Sequence, residues 1–262
     1  MASSLKKNLK TILVVLCIVL VCVFAFSAYK VISTVVGYKQ AATTYNNIAE
    51  QFASIGSTPK PIEEFVENID PEISPIGNVD FDGLRQITTD YVAWIYSPDT
   101  MINYPIAYTD NNFYYLDHIP VEQQNANGTL FIDCKCASDF SDQNTLVYGH
   151  NMNDGSMFAS LRNYQSPDYY TQHPVIYLST PDFNYRLDLI AGFVTEPTSF
   201  AYQNNFDEIE QFMAYIEHIK ELSTFQSDVK VTEEDRVVTL STCTYEINDG
   251  RYVVVGKLTR IH

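Results

Sequence analysis

Positive charge is scarce in this chain of 262 residues. Sixteen lysines and arginines face 32 aspartates and glutamates, a formal net charge of −16 at pH 7. Three of the cations, Lys6, Lys7 and Lys10, lie in the first 29 residues, which hold no acid, so the remainder carries 13 basic against 32 acidic residues. A surface that acidic repels phosphate backbones and excludes a nucleic-acid partner. Cysteine is scarce too, with five in all. Cys134 and Cys136 stand as C-x-C in "LFIDCKC". On a strand both thiols would point to one face, where a disulfide between them is poorly placed. The neighbouring Asp133, Asp139 and Asp142 follow no metal-ligand spacing, so no metal site is expected there. Internal repeats and low-complexity tracts are also absent.

What is present is bulk. Hydrophobic residues make up 46% and charged residues 18% of the chain, enough for an ample core. The 19 tyrosines and 15 phenylalanines favour strands. One apolar run stands out: "TILVVLCIVLVCVFAFSA", Thr11 to Ala28. A bilayer span needs roughly 20 apolar residues, and Leu9 with Val31 and Ile32 extend the run to that length. Cys17 and Cys22 within it are apolar filler. The lysines before the span place the N-terminus in the cytoplasm and the bulk of the chain outside. Ser27 and Ala28 are small enough for a signal-peptide cleavage site, but the run exceeds the ~7–15 residues of a typical secretory h-region, which favours an uncleaved anchor. Cys243 is then an odd thiol on the outer side, a candidate reactive group.

The expected organisation is a basic tail over residues 1–10, a transmembrane signal-anchor over 11–32, a helical stalk and connector over 33–80, and a catalytic domain over 81–262. Ile32, Val35, Val36, Tyr45, Ile48, Ala49 and Phe52 recur at helical spacing. "GSTPKP" breaks that helix, "IEEFVENI" offers a short second one, and "DPEISPIGNVD" reads as connector. "FDGLRQI" allows one or two helical turns. From Tyr91 the texture changes to short strands: "YVAWIY", "TLFID", "TLVYGH", "VIYLS", "YRLDLIAGFV", "RVVTLSTC" and "RYVVVGKLTRI". "STPDFN" suits a hairpin. Two helical pieces interrupt the strands. "FDEIEQFMAYIEHIKEL" lines up Phe206, Ile209, Phe212, Met213, Ile216 and Leu222 on one face, and "DGSMFASLRNY" follows "YGHNM". The class is mostly β with helical insertions.

Three residues then combine. Cys243 ends the strand "RVVTLST", and Arg251 opens the next after the turn residues Asn248, Asp249 and Gly250. Such a hairpin brings a thiol and a guanidinium close together. A thiol nucleophile needs an acid–base partner, and His150, at the end of "NTLVYGH", supplies it at another strand end. Each residue has an ordinary alternative: a buried cysteine, a solvated arginine, one histidine among five. His118, His173 and His218 show no evident purpose, and His262 is terminal.

The motifs decide between these alternatives. The chain resembles the class B sortases of Gram-positive bacteria over roughly Phe81 to Ile261. "TLSTC" matches the family's TLxTC nucleophile motif, "YGHNMNDGSMF" its histidine segment and "GRYVVVGKL" its arginine strand. "INYPI" and "DNNFYYL" look like an early strand and the loop after it, and the long helix before the cysteine strand together with the N-terminal helices points to class B.

The resemblance implies an eight-stranded sortase β-barrel and a transpeptidation. Cys243 would attack the threonine carbonyl of a sorting motif near the C-terminus of a secreted protein. His150 would protonate the departing amine, and Arg251 would stabilise the oxyanion. Ser241 and Thr242 would shape the substrate groove, with Asn111 as a further substrate-binding candidate. The acceptor would be an amine of the peptidoglycan precursor or a pilin lysine. The resemblance implies no cofactor and no metal, calcium included. It also implies a largely neutral thiol and imidazole, hence slow turnover. Two other readings stay open: a hydrolytic envelope cysteine peptidase, and an inactive membrane-tethered scaffold.

Overall fold

The computed structural model describes residues 2–56, 74–119, 123–244 and 246–261. Two compact units divide the chain, one up to Ala41 and one from Ala42 to His262. Helix α1 (Ala2–Phe52) supplies the whole of the first unit and opens the second. From Ile12 to Val36 its large apolar side chains are exposed, Phe24 by 76%, and the helix is long and apolar enough to cross a bilayer.

In the second unit the chain continues as strands β1 (Ala53–Ile55) and β2 (Ile76–Val79), which pair antiparallel. Sequence pattern suggested only stalk and connector before Phe81, yet the compact unit begins at Ala42. The reason is burial. Ile48 and Phe52 of α1, with Ile76 and Val79 of β2, pack in one buried cluster with Trp94, Tyr115 and Phe131 of the barrel side, and the buried Tyr45 packs edge-on against Tyr104, contacts that single-chain periodicity cannot reveal. The short helix expected from "IEEFVENI" lies outside the described residues.

Helix α2 (Phe81–Ile87) is capped by Asp80, whose carboxylate accepts from the Gly83 N–H at 2.9 Å. The strands follow: β3 (Tyr91–Tyr96), β4 (Asn103–Ala107), a small pair β5 (His118–Ile119) and β6 (Gln123–Gln124), then β7 (Leu130–Ile132) and β8 (Asn144–Tyr148). After helix α3 (Pro167–Gln172) come β9 (Val175–Ser179), β10 (Asn184–Thr195), helix α4 (Ile209–Leu222), β11 (Arg236–Cys243) and β12 (Arg251–Ile261). Eight strands close into a barrel in the order β10-β12-β11-β8-β7-β4-β3-β9. Closure leaves no open sheet edge. The β4–β7 and β8–β11 neighbours run parallel and the other pairs antiparallel. "STPDFN" closes the β9–β10 hairpin as expected, the Thr180 N–H donating to the Phe183 carbonyl.

The two helical pieces differ from expectation in detail. α4 starts at Ile209 and buries Phe212, Tyr215, Ile216 and Ile219 against β10, β11 and β12, while Ile209 and Leu222 stay exposed. Phe206, ahead of the helix, still packs on Phe212 and Tyr215, and Met213 is partly buried against the same cluster. Each buried side chain contributes roughly 1.5–3 kcal/mol of transfer free energy. "DGSMFASLRNY" is helical only from Ala159, as a 3₁₀ segment to Gln165. Before it, Met157 takes the left-handed backbone (φ 57°) and bridges to Asn151, a geometry incompatible with continuous helix.

Candidate active site

Parallel pairing sets the level of the site. In β8 and β11 Tyr148 stands opposite Ser241, and the Gly149 N–H donates to the Ser241 carbonyl at 3.0 Å. Two residues onward along each chain segment lie His150, just beyond the end of β8, and Cys243, the last residue of β11. A buried polar network locks that register. Thr239 Oγ1 donates to Asn144 Oδ1 at 2.8 Å, and Asn144 Nδ2 donates to the Gln203 carbonyl and the Tyr215 hydroxyl. On the other side of β11, Cys243 pairs with Arg251 across the β11–β12 hairpin. The turn closes through Thr244 N–H to the Gly250 carbonyl, with Asp249 in the left-handed conformation (φ 54°). The nucleophile candidate thus sits between His150 and Arg251.

Gly149 explains how the histidine leaves the sheet. A Cβ there would lie 2.3 Å from Leu130 Cδ2 and 2.6 Å from Phe158 Cδ2, so only glycine fits. The chain then turns, Asn151 Nδ2 donates to the Cys243 carbonyl at 2.9 Å, and the Phe158 N–H donates to the His150 carbonyl. His150 Nε2 lies 2.7 Å from the Leu116 carbonyl. A carbonyl only accepts, so this contact puts a proton on Nε2 and leaves Nδ1 as the acceptor position of a neutral ring.

One cleft of about 240 Å³ gathers the three residues, with Ser241 and Thr242 also in its wall. Arg251 Nη1 donates to the Asp249 and Gly250 carbonyls and to Asp249 Oδ1, at 2.9–3.1 Å. These bonds hold the guanidinium at the hairpin, and no hydrogen bond among the described residues engages its Nε or Nη2. Ser241 Oγ lies 2.9 Å from the Tyr202 hydroxyl. Burial pushes that phenol's pKa up, against the pull of the Ser241 hydrogen bond and the Arg251 charge, so it stays neutral. Thr242 Oγ1 is buried and without a hydrogen-bond partner among the described residues.

Asn111 is not brought to the cleft. Its Oδ1 accepts from the Phe113 and Tyr114 N–H groups at 3.0 Å, capping the 3₁₀ turn Tyr114–Leu116 from the exposed side. The lining residues from that loop are Asn112 and Leu116. Asn112 is fixed from both ends of its amide: Nδ2 donates to Asp133 Oδ2 at 3.0 Å, and Oδ1 accepts from the Cys134 N–H at 2.8 Å. Tyr148 also donates to Asp133, at 2.8 Å. Tyr202 and Pro197 line the cleft from the β10–α4 connection, a stretch with no periodicity that sequence reasoning could have used. Cys134, Cys136 and Cys243 are all free thiols. Cys134 lies in a turn beyond β7, not in a strand, and burial pushes the Cys136 thiol's pKa up to about 12.

The family model for the sortase domain matches residues 98–259. Sortase B of Listeria monocytogenes is 38% identical over 67% of this chain and 72% of its own length. The chain belongs to the class B sortases. Sortase B of Staphylococcus aureus is 27% identical over 97% of this chain and 98% of its own. The solved Staphylococcus aureus sortase B–substrate complex superposes with a TM-score of 0.66 at 29% identity, covering 70% of this chain and 85% of that one. This sortase is accordingly a cysteine transpeptidase, and its closed eight-stranded barrel is the sortase fold.

Proposed function

We propose that this sortase is anchored by α1 with its N-terminus in the cytoplasm, and that it joins secreted proteins to an envelope amine through a thioester on Cys243. The observation that carries the reading is the convergence on one cleft of Cys243 and Arg251, from the paired strands β11 and β12, with His150, which follows the neighbouring strand β8.

In the first half-reaction the Cys243 sulfur attacks the carbonyl carbon of a threonine in the sorting motif. The thiol proton passes to His150, and the carbonyl oxygen gains negative charge as the tetrahedral intermediate forms. Arg251 donates to that oxyanion; its planar, permanently charged fork suits the role. The C–N bond breaks as His150 returns the proton to the leaving amine, and the threonine remains as a thioester. In the second half-reaction an amine of the peptidoglycan precursor or a pilin lysine attacks, His150 takes its proton, and the thiolate leaves with that proton restored. Nδ1 is the ring atom available for these transfers while Nε2 is held by Leu116. Ser241 and Thr242 form the groove wall beside the nucleophile, and the unpartnered Thr242 hydroxyl suits a substrate backbone group. Anchoring fits this chemistry, since the secreted substrate and a lipid-linked amine both arrive at the outer membrane face.

The test uses the full chain in detergent micelles with a panel of quenched sorting-motif peptides, with and without a small primary amine. Cleavage that disappears in Cys243→Ala, together with an amine-linked product in the mass spectrum, is the expected result. Hydrolysis unaffected by the amine would favour an envelope peptidase. No cleavage and no acyl adduct on Cys243 would favour a scaffold.

A further inference from the structure

His150 is supported from behind by the segment Gly128–Thr129, which α1 touches. Gly128 takes the left-handed conformation (φ 58°) and packs against the histidine's surroundings. A Cβ there would meet the Tyr115 carbonyl at 2.4 Å, the Leu116 carbonyl at 2.8 Å and His150 Cδ2 at 3.1 Å. The Thr129 N–H donates to the Tyr115 carbonyl at 2.9 Å, and Thr129 Oγ1 donates to the His118 carbonyl at 2.8 Å. The segment 128–129 is therefore pressed onto the loop whose Leu116 carbonyl holds His150 Nε2. A phenol from α1 adds a further tie to these bonds. Tyr45, in the part of α1 within the second compact unit, is 3% exposed. Its hydroxyl donates to the Gly128 carbonyl at 2.5 Å and lies 3.0 Å from Thr129 Oγ1. Its ring packs edge-on against Tyr104, with centroids 5.1 Å apart, and the Tyr104 hydroxyl accepts from the Met157 N–H in the loop that follows His150.

We propose that Tyr45 is a positioning residue for His150: its hydroxyl pins Gly128 and Thr129 against the Leu116 carbonyl and so fixes the imidazole's height and tilt beside Cys243. This rests on the reading of His150 as the acid–base group. The functional consequence is that a single hydroxyl of α1, that of Tyr45, supports the geometry of the acid–base group. The coupling runs through one buried hydroxyl, so it is separable from the packing that the same helix provides. Ile48 supplies the contrast: one turn further along α1 it is 5% exposed, equally buried, and its side chain carries no polar group to reach the 128–129 segment.

Full-length Tyr45→Phe, Ile48→Ala and His150→Ala chains in detergent are compared with the unaltered chain. The readouts are kcat and KM for the panel peptide cleaved fastest, the pH profile of iodoacetamide alkylation at Cys243 followed by mass spectrometry, and the melting temperature. Tyr45→Phe is expected to lower kcat about fivefold, the equivalent of one neutral hydrogen bond, with KM within about twofold. Its alkylation profile should move toward that of His150→Ala. Ile48→Ala should melt lower than Tyr45→Phe yet keep both kcat and the alkylation profile well below its melting temperature. The proposal is overturned if Tyr45→Phe leaves both kcat and the profile unchanged, or if Ile48→Ala loses activity in the same proportion to its loss of melting temperature. Should His150→Ala itself keep activity and profile, the acid–base reading fails and the Tyr45 proposal fails with it.

Discussion

Gly128→Ala is the sharpest perturbation of this architecture. Two costs add. At φ 58° an alanine meets the steric penalty of left-handed backbone, roughly 1–2 kcal/mol. The new methyl would also lie 2.4 Å from one backbone carbonyl oxygen and 2.8 Å from another, so backbone rather than a flexible side-chain tip must move. Overpacking of that kind costs typically ~1–3 kcal/mol. The sum is about 2–5 kcal/mol, and in a unit of this size each kcal/mol moves the melting temperature by roughly 2–4 °C. A fall of about 4–20 °C is therefore expected by circular dichroism or scanning calorimetry on the full chain. The carbonyls that must give way are those of Tyr115 and Leu116, and Leu116 holds His150. Turnover should accordingly drop even at temperatures where the variant is fully folded. A melting temperature within about 2 °C of the unaltered chain would refute the reasoning, because it would mean that the loop yields without cost.

Two further outcomes follow from the charge states. Burial raises the Cys136 thiol's pKa to about 12, so at pH 8 iodoacetamide should label Cys243 and leave Cys136 unmodified in the folded chain; equal labelling would contradict the burial. The folded value lies above the ordinary 9.0, so this group's contribution to stability is complete below pH 9 and fades as pH rises toward 12. For Asp235, desolvation raises the pKa but is outweighed by Lys257, whose ammonium lies 2.8 Å away, and by the bonds from Thr232, leaving the carboxyl below 3.8. Its contribution is present above pH 3.8 and lost as pH falls through the depressed value. Asp235→Asn should lower the melting temperature at pH 7 by about 2–4 °C, corresponding to ~1 kcal/mol, and the gap should close as the pH falls below 3.8 and the carboxyl protonates. A gap independent of pH would assign the loss to packing instead.

How much of this was legible depended on where the information resides. The barrel strands were written locally: β-branched and aromatic runs punctuated by turn residues mark β3, β8, β9, β10, β11 and β12. Cys243 and Arg251 were legible as hairpin partners because Asn248, Asp249 and Gly250 announce a turn, and the register pairs them directly. His150 was legible as a strand-end residue, but its neighbour was not. Parallel pairing of β8 with β11 joins segments far apart in sequence, and only the matching family motif linked them in advance. The α1–barrel contact stayed hidden for a related reason. A helix face carrying Tyr45, Ile48 and Phe52 reads the same whether it meets a bilayer-proximal partner or a β-barrel. Asn111 and Asn112 illustrate the finest limit. Both are asparagines in one loop, and which of them caps the turn and which lines the cleft is set by backbone direction, one residue apart.

The placement of the reacting groups follows from the barrel rather than from the loops that carry them. Cys243 is the last residue of a strand bonded on both sides, to β8 and to β12. Its backbone is thereby fixed while its side chain stands at the rim, half-buried and beside solvent. A slip of one residue in either pairing would turn the thiol to the opposite face of the sheet, because side chains alternate with period two. The β8–β11 register is therefore a catalytic variable, and the buried bonds among Thr239, Asn144 and Tyr215 guard it. An all-apolar interface at that level would pack as well but would not distinguish one register from the next. The polar network does, because each slipped register strands a buried amide or hydroxyl without a partner, at a cost of about 1–3 kcal/mol apiece. Specificity of the fold and alignment of the thiol with the imidazole are, at this point in the barrel, one and the same requirement.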